Sequence, residues 1–224
     1  MKKAVLSLGC VAAMALASSA QATVIVDENF DSYTDTADLG TVWSLGDGTL
    51  DTVPGNPGQS LYHPGTGASF SGANTNSLSF TEINPAGAEV LTFSADIYDD
   101  ASSANKRTTA GLREAVGANL IEMGMYNSPA YYAYRVILFG PGDPSWVAFS
   151  NMVDDAGDPM TNAPVAGWHT FTATVTPTQI DFTLDLNGDG NINATASVPI
   201  SPVDLGFNII RPAAPPTSAR AAAV

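Results

Sequence analysis

The stretches Leu91-Thr92-Phe93-Ser94-Ala95-Asp96-Ile97 and Phe171-Thr172-Ala173-Thr174-Val175 decide the fold. In each, every second side chain is apolar and its neighbours are hydroxyls or a carboxylate. A strand points successive side chains to opposite faces, so this alternation describes a sheet with one dry face and one wet face. Ile180-Asp181-Phe182-Thr183-Leu184-Asp185-Leu186 repeats the pattern. Half-buried strands of this kind suit an antiparallel sandwich wetted on its outer faces.

Working outward, similar runs separated by Gly, Pro, Asn and Asp clusters predict eleven strands, at 23–29, 77–83, 89–98, 108–113, 119–126, 132–139, 145–150, 168–176, 179–186, 192–198 and 204–210. No convincing segment of helical period stands among them. So many strands imply two packed sheets and an all-β fold. The Gly- and Pro-rich stretch 46–72, interrupted by Ser60-Leu61-Tyr62-His63, is expected to cross over the sheets. Residues 212–224, a string of Ala and Pro with no large apolar residue, are expected to be a disordered tail.

The start of the chain carries a different signal. Lys2 and Lys3 precede an apolar stretch from Ala4 to Leu16 that is too short to span a bilayer, and Ala20-Gln21-Ala22 is a small-x-small cleavage site. Residues 1–22 are therefore read as a signal peptide, and 23–211 as a single sandwich domain. A lipoprotein reading through Cys10 is the rival, and Ser7 stands where such a signal wants a large aliphatic residue. Cleavage removes Cys10, the only cysteine, so stability in an oxidising compartment must come from core burial. No later window holds about 18 consecutive apolar residues, so no membrane insertion is expected after cleavage. The protein is expected to be secreted.

Loss of Lys2 and Lys3 takes the formal net charge from −14 to −16. Nucleic acid and anionic lipid need clustered Lys and Arg, and an acidic chain repels both. Divalent cations are favoured instead. Asp185, Asn187 and Asp189, spaced by single residues around Gly188 and Gly190, could converge on Ca²⁺ as a structural ion. Ala196 stands where an EF-hand-like loop needs an acid, and the same residues also suit a hairpin turn with positive φ.

No catalytic motif emerges. The five glutamates, Glu28, Glu82, Glu89, Glu114 and Glu122, lack the spacing that puts two carboxylates in one cleft. Asp96, Asp99 and Asp100 close a strand and suit solvated turn chemistry. His63 and His169, the two histidines, have no Gly-x-Ser-x-Gly elbow beside them, and packing or a backbone hydrogen bond explains each. Tyr126, Tyr131, Tyr132, Tyr134 and Trp146 gather around Asn127-Ser128-Pro129. Rings of this kind stack on the apolar faces of sugars; Tyr132 and Tyr134 also share one strand face and would equally cover a sheet.

Several local motifs carry a family resemblance. They are Asp27-Glu28-Asn29-Phe30-Asp31-Ser32-Tyr33, Gly55-Asn56-Pro57-Gly58 with Ser60-Leu61 and His63-Pro64, Gly111-Leu112-Arg113, the run from Asn119 to Asn127, Gly167-Trp168-His169, and Asp185 to Gly190. Together they resemble the concanavalin A-like lectin/glucanase (LamG-like) domain of exported bacterial PEP-CTERM-type proteins, over roughly residues 24–211. The resemblance implies a two-sheet antiparallel jelly-roll sandwich. It also implies a structural calcium between first and last strands, for which Asp27 and Glu28 stand as ligands beside Asp31; solvated edge charges are the alternative reading of the same carboxylates. The sorting tail of such proteins is missing here, and 212–224 reads either as a truncated or out-of-frame end or as a natural low-complexity tail.

The expected function is that of an exported, non-catalytic jelly-roll domain with a binding, adhesive or extracellular-matrix role. Carbohydrate is the ligand expected, with Tyr126, Tyr132, Tyr134 and Trp146 as its contacts. The alternative is a secreted carbohydrate-active hydrolase of the glucanase type with a non-standard carboxylate pair, which the separation of two carboxylates facing one cleft would reveal.

Overall fold

The computed structural model describes residues 23–52, 56, 58–63, 75–102, 106–114, 119–127, 129–138, 145–200, 207–210 and 219–223. The leader expected over 1–22 lies outside the described residues, as do 212–218 and 224 of the expected tail. Thirteen strands are described: β1 (Thr49–Asp51), β2 (Ser60–His63), β3 (Leu78–Ile83), β4 (Leu91–Asp99), β5 (Lys106–Arg113), β6 (Leu120–Asn127), β7 (Tyr131–Ile137), β8 (Val147–Ala148), β9 (Gly167–Val175), β10 (Gln179–Leu186), β11 (Ala194–Pro199), β12 (Phe207–Ile210) and β13 (Ala219–Ala223). They form a seven-stranded sheet in the order β1-β2-β13-β4-β9-β10-β11 and a six-stranded sheet in the order β3-β12-β5-β6-β7-β8. Every ladder pairs antiparallel. The protein is an all-β, two-sheet jelly-roll sandwich, and ten of the eleven expected runs contain a strand.

The alternation sets the packing. In register across the seven-stranded sheet, Ala95, Phe171 and Leu184 stand side by side, as do Phe93, Ala173 and Phe182. All six are buried, and they meet Ala110, Leu112, Ile121, Met123 and Met125 from the six-stranded sheet. Burying a side chain such as Phe171 or Leu184 is worth roughly 1.5–3 kcal/mol, which lets this core hold the domain without a disulfide. Thr172 and Thr174 on β9 and Thr92 and Ser94 on β4 point the other way, into solvent or against each other.

The run 23–29 is not a strand: within it the described backbone makes a single bridge, at Glu28. The buried Glu28 carboxylate accepts from the Phe30 amide at 2.7 Å, the Tyr33 hydroxyl at 2.6 Å and Trp43 Nε1 at 3.0 Å. These three bonds, with Phe30 at φ 65°, turn the chain and plug Phe30 and Trp43 into the core. A one-turn helix α1 (Thr36–Leu39), capped by Asp35 accepting from the Asp38 amide at 2.8 Å, is too short for periodicity to reveal. Inside the expected crossover, Thr49–Asp51 and Ser60–His63 pair as a hairpin.

Within 212–224, read from the sequence as a tail, the structure describes one strand, Ala219–Ala223. That stretch pairs with β2 on one side and β4 on the other. Alanine has little strand propensity of its own, so backbone pairing to two neighbours, a tertiary effect, overrides composition here.

Candidate functional site

The outward face of the six-stranded sheet brings together residues far apart in sequence. Across β5, β6 and β7, one row places Arg107 beside Tyr126 and Tyr131, the next Thr109 beside Gly124 and Ala133, and a third Gly111 beside Glu122 and Arg135. Arg113 starts a fourth row opposite Leu120. Each of these residues has the opposite parity to the core residues Ala110, Leu112, Met123 and Tyr132, which is why they share the outer face. The middle row must be small. A Cβ on Gly124, whose φ is +146°, would lie 2.1 Å from the Thr108 carbonyl oxygen, and one on Gly111 would lie 2.1 Å from that of Ile121.

Over this floor the rings of Tyr126 and Trp146 stack, with centroids 4.8 Å apart and planes 18° apart, and Tyr131 meets Tyr126 edge-on at 6.0 Å. The Arg135 guanidinium lies 4.8 Å from the Trp146 ring, and that of Arg107 lies 5.6 Å from Trp146 and 5.9 Å from Tyr126. Glu122, buried, accepts from Thr109 Oγ1 at 3.0 Å and from Arg135 Nε at 2.6 Å, forms a second ion-pair contact with Arg135, and lies 3.8 Å from Arg113. Burial pushes the Arg107 pKa down to about 10; the Glu122 charge opposes this, and Arg135 and Arg113 add to it. Three guanidiniums, one carboxylate and a stacked pair of aromatic rings thus form a built surface.

Of the four aromatic residues expected at a ligand, the structure brings Tyr126 and Trp146 together and removes the other two. Tyr132 and Tyr134 face the sandwich interior, because their parity is that of Val136 and of Met125 and Met123 across the ladder. Tyr134 stacks on Phe182 at 4.7 Å, and burial raises its pKa. Tyr132 is fully buried. The sequence names Glu122 and Arg113 singly, but only the polar parity of β5–β7, which apolar alternation does not reveal, joins them to Arg107 and Arg135.

A polar cluster occupies one end of the interior. Asp99 and Lys106, both buried, form an ion pair. The Tyr132 hydroxyl donates to Asp99 Oδ2 at 2.9 Å and accepts from the Val165 amide at 2.8 Å. His169 Nδ1 accepts from the Asn187 amide at 3.1 Å, which leaves the ring proton on Nε2 to meet the Val165 carbonyl at 2.7 Å; the Tyr132 hydroxyl lies 3.1 Å from the same nitrogen. The solvated role expected of Asp99 is therefore corrected. It continues the parity of Phe93, Ala95 and Ile97 into the core, as His169 does for Phe171 and Ala173.

The expected calcium ligands fall in two separate places. Glu28 is engaged by Phe30, Tyr33 and Trp43, and Asp27 beside it is exposed. Asp185 accepts from the amides of Asp189 at 3.1 Å and Gly190 at 2.8 Å, while Asn187 at φ 71° and Gly188 at φ 62° make the turn. Asp189 caps Asn191. The loop is closed by its own backbone donors, and among the described residues no three His, Cys, Asp or Glu side chains gather as a metal site.

An apolar crevice of about 460 Å³ lies between the segment Thr23 to Asp27 and the ends of β3, β4 and β12. Among the described residues Asp27 is the one charged side chain in its lining, so it offers little to orient a polar ligand. The Arg-aromatic face is the chemically richer surface.

No protein-family model matches the chain, and no curated protein sequence does. Solved structures do. The alginate lyase of Klebsiella pneumoniae is 11% identical with a TM-score of 0.49, covering 79% of this chain and 81% of that one. The binding domain of botulinum neurotoxin DC, in complex with SialylT, is 11% identical with a TM-score of 0.48, over 80% of this chain and 40% of that one. The CBM2 module of the Lactobacillus casei BL23 phage J-1 evolved Dit is 11% identical with a TM-score of 0.44, over 66% and 67%. At these identities the likeness is one of architecture. Among the described residues no helix is long and apolar enough to cross a membrane.

Proposed function

We propose that this chain is an exported, non-catalytic jelly-roll domain that binds carbohydrate on the outward face of its six-stranded sheet. The observation that carries the reading is the stack of Tyr126 on Trp146 with the guanidiniums of Arg107 and Arg135 held against the rings. A sugar presents apolar C–H faces that pack on such rings, and hydroxyls that accept hydrogen bonds from planar guanidiniums. The leader motif at 1–22 supports export. Glu122, the carboxylate in this cluster, is engaged by Arg135 and Thr109, which supports binding over acid/base hydrolysis.

Titration calorimetry against a panel of oligosaccharides tests this, with Trp146→Ala as the comparison. Losing the ring is expected to weaken binding about tenfold, from the ~1.4 kcal/mol an aromatic contact of this size supplies. A wild-type protein that binds no member of the panel, or a variant that binds as tightly as wild type, would overturn the proposal.

A further inference from the structure

Resting on that reading, we infer that the saccharide recognised is anionic, carrying a carboxylate or sulfate that the arginines of this face engage beside the stacked rings of Trp146 and Tyr126. Of the six Lys and Arg residues after position 22, three stand on this one sheet face, in a chain whose formal net charge is −14. A neutral sugar can accept hydrogen bonds from these guanidiniums through its hydroxyls, but it carries no charge to set against three cations on one face. An acidic sugar does gain, because a guanidinium presents paired N–H donors that match the two oxygens of a carboxylate or sulfate.

The placement of the arginines fits this division of work. Arg135 is committed to Glu122 through two contacts and stacks on Trp146, so it anchors the cluster. Arg107 lies against both rings, which hold its plane in place and lower the entropy lost when an anion docks. Arg113 is more open than Arg135, with 29% of its side chain exposed, and its Nη2 is 3.8 Å from Glu122. At physiological ionic strength charges are screened beyond about 8 Å. The local arginines, rather than the acidic remainder of the chain, therefore set the field felt by one acidic sugar. A long nucleic acid would span well past that distance and meet the acidic surface, which favours a saccharide with a locally placed acid group.

Matched pairs of ligands test the inference: galacturonate and glucuronate oligosaccharides, their methyl esters, and sulfated oligosaccharides of the same length, each titrated into wild type, Arg107→Gln and Arg113→Gln. Thermal melts confirm that each variant is folded, and Arg113→Gln serves if Arg107→Gln is not. An acid form binding at least about tenfold more tightly than its ester, with that preference lost in the arginine variants, is the expected result. If sulfated sugars alone show the preference, the inference holds with sulfate as the anion. Acid and ester binding alike would overturn it and leave carbohydrate binding standing. No binding by any saccharide would overturn both.

Discussion

Replacing Tyr132 with Phe removes one oxygen from the interior of the sandwich and nothing else. That hydroxyl donates to Asp99 and accepts from the Val165 amide, in a position with no solvent access. Burial and the nearby Asp99 charge hold the phenol protonated far above its ordinary range, so at any working pH it is a neutral donor. Without it, the Val165 N–H and one Asp99 oxygen lose their partners. Each stranded buried group costs about 1–3 kcal/mol, which gives roughly 2–6 kcal/mol for the pair. For a domain of this size, that lowers Tm by roughly 4–24 °C. Urea and thermal unfolding followed by circular dichroism measure it, with glycan binding by the folded variant expected to be unchanged. A loss below about 1 kcal/mol would refute the assignment of this hydroxyl as the link between the sheets, and a selective loss of glycan affinity would return Tyr132 to the ligand.

Further expectations follow from the same packing. Gly124→Ala forces a Cβ against the Thr108 carbonyl at a positive φ, and should destabilise the protein by about 2–4 kcal/mol in chemical denaturation; a neutral effect would mean that β5 and β6 pair differently. His169 is held below its ordinary pKa chiefly by burial, against opposing effects from the Val165 carbonyl, Asp99 and Asp185. The unfolded chain therefore takes up this proton first as pH falls, so stability is full above about pH 6.5 and declines below it. Urea midpoints at pH 7.5 and 5.5 should differ less in His169→Gln than in wild type, and an identical pH dependence in the two would rule out His169 as the source.

The alternation in 91–97 and 171–175 was enough to reveal the sandwich because period two has one physical meaning when the apolar set is this regular. The same parity, carried two residues further, would have placed Asp99 and His169 in the core, but a polar side chain at the end of a strand reads equally well as a turn. Tyr132 and Tyr134 illustrate the opposite difficulty: an aromatic ring with a polar tip suits a wet face or a dry one, and only the register against Met125 and Met123 decides. The arginine cluster was hidden for a third reason. Arg107, Arg113, Glu122 and Arg135 lie on three strands, and nothing local in the sequence announces that ladders will bring them onto one face. The strand at 219–223 shows the limit of composition altogether, since its pairing comes from its neighbours.

That last strand also governs how the seven-stranded sheet is assembled. β1 and β2 reach β4 through β13, so the hairpin at 49–63 is joined to the rest of its sheet through backbone supplied from more than 150 residues away along the chain. Closing so long a loop is slow, and until it closes β4 presents an unpaired edge of nine residues. An open edge of that length is a template for a strand from a neighbouring molecule, so the nascent protein is exposed to strand exchange for as long as the slot stays empty.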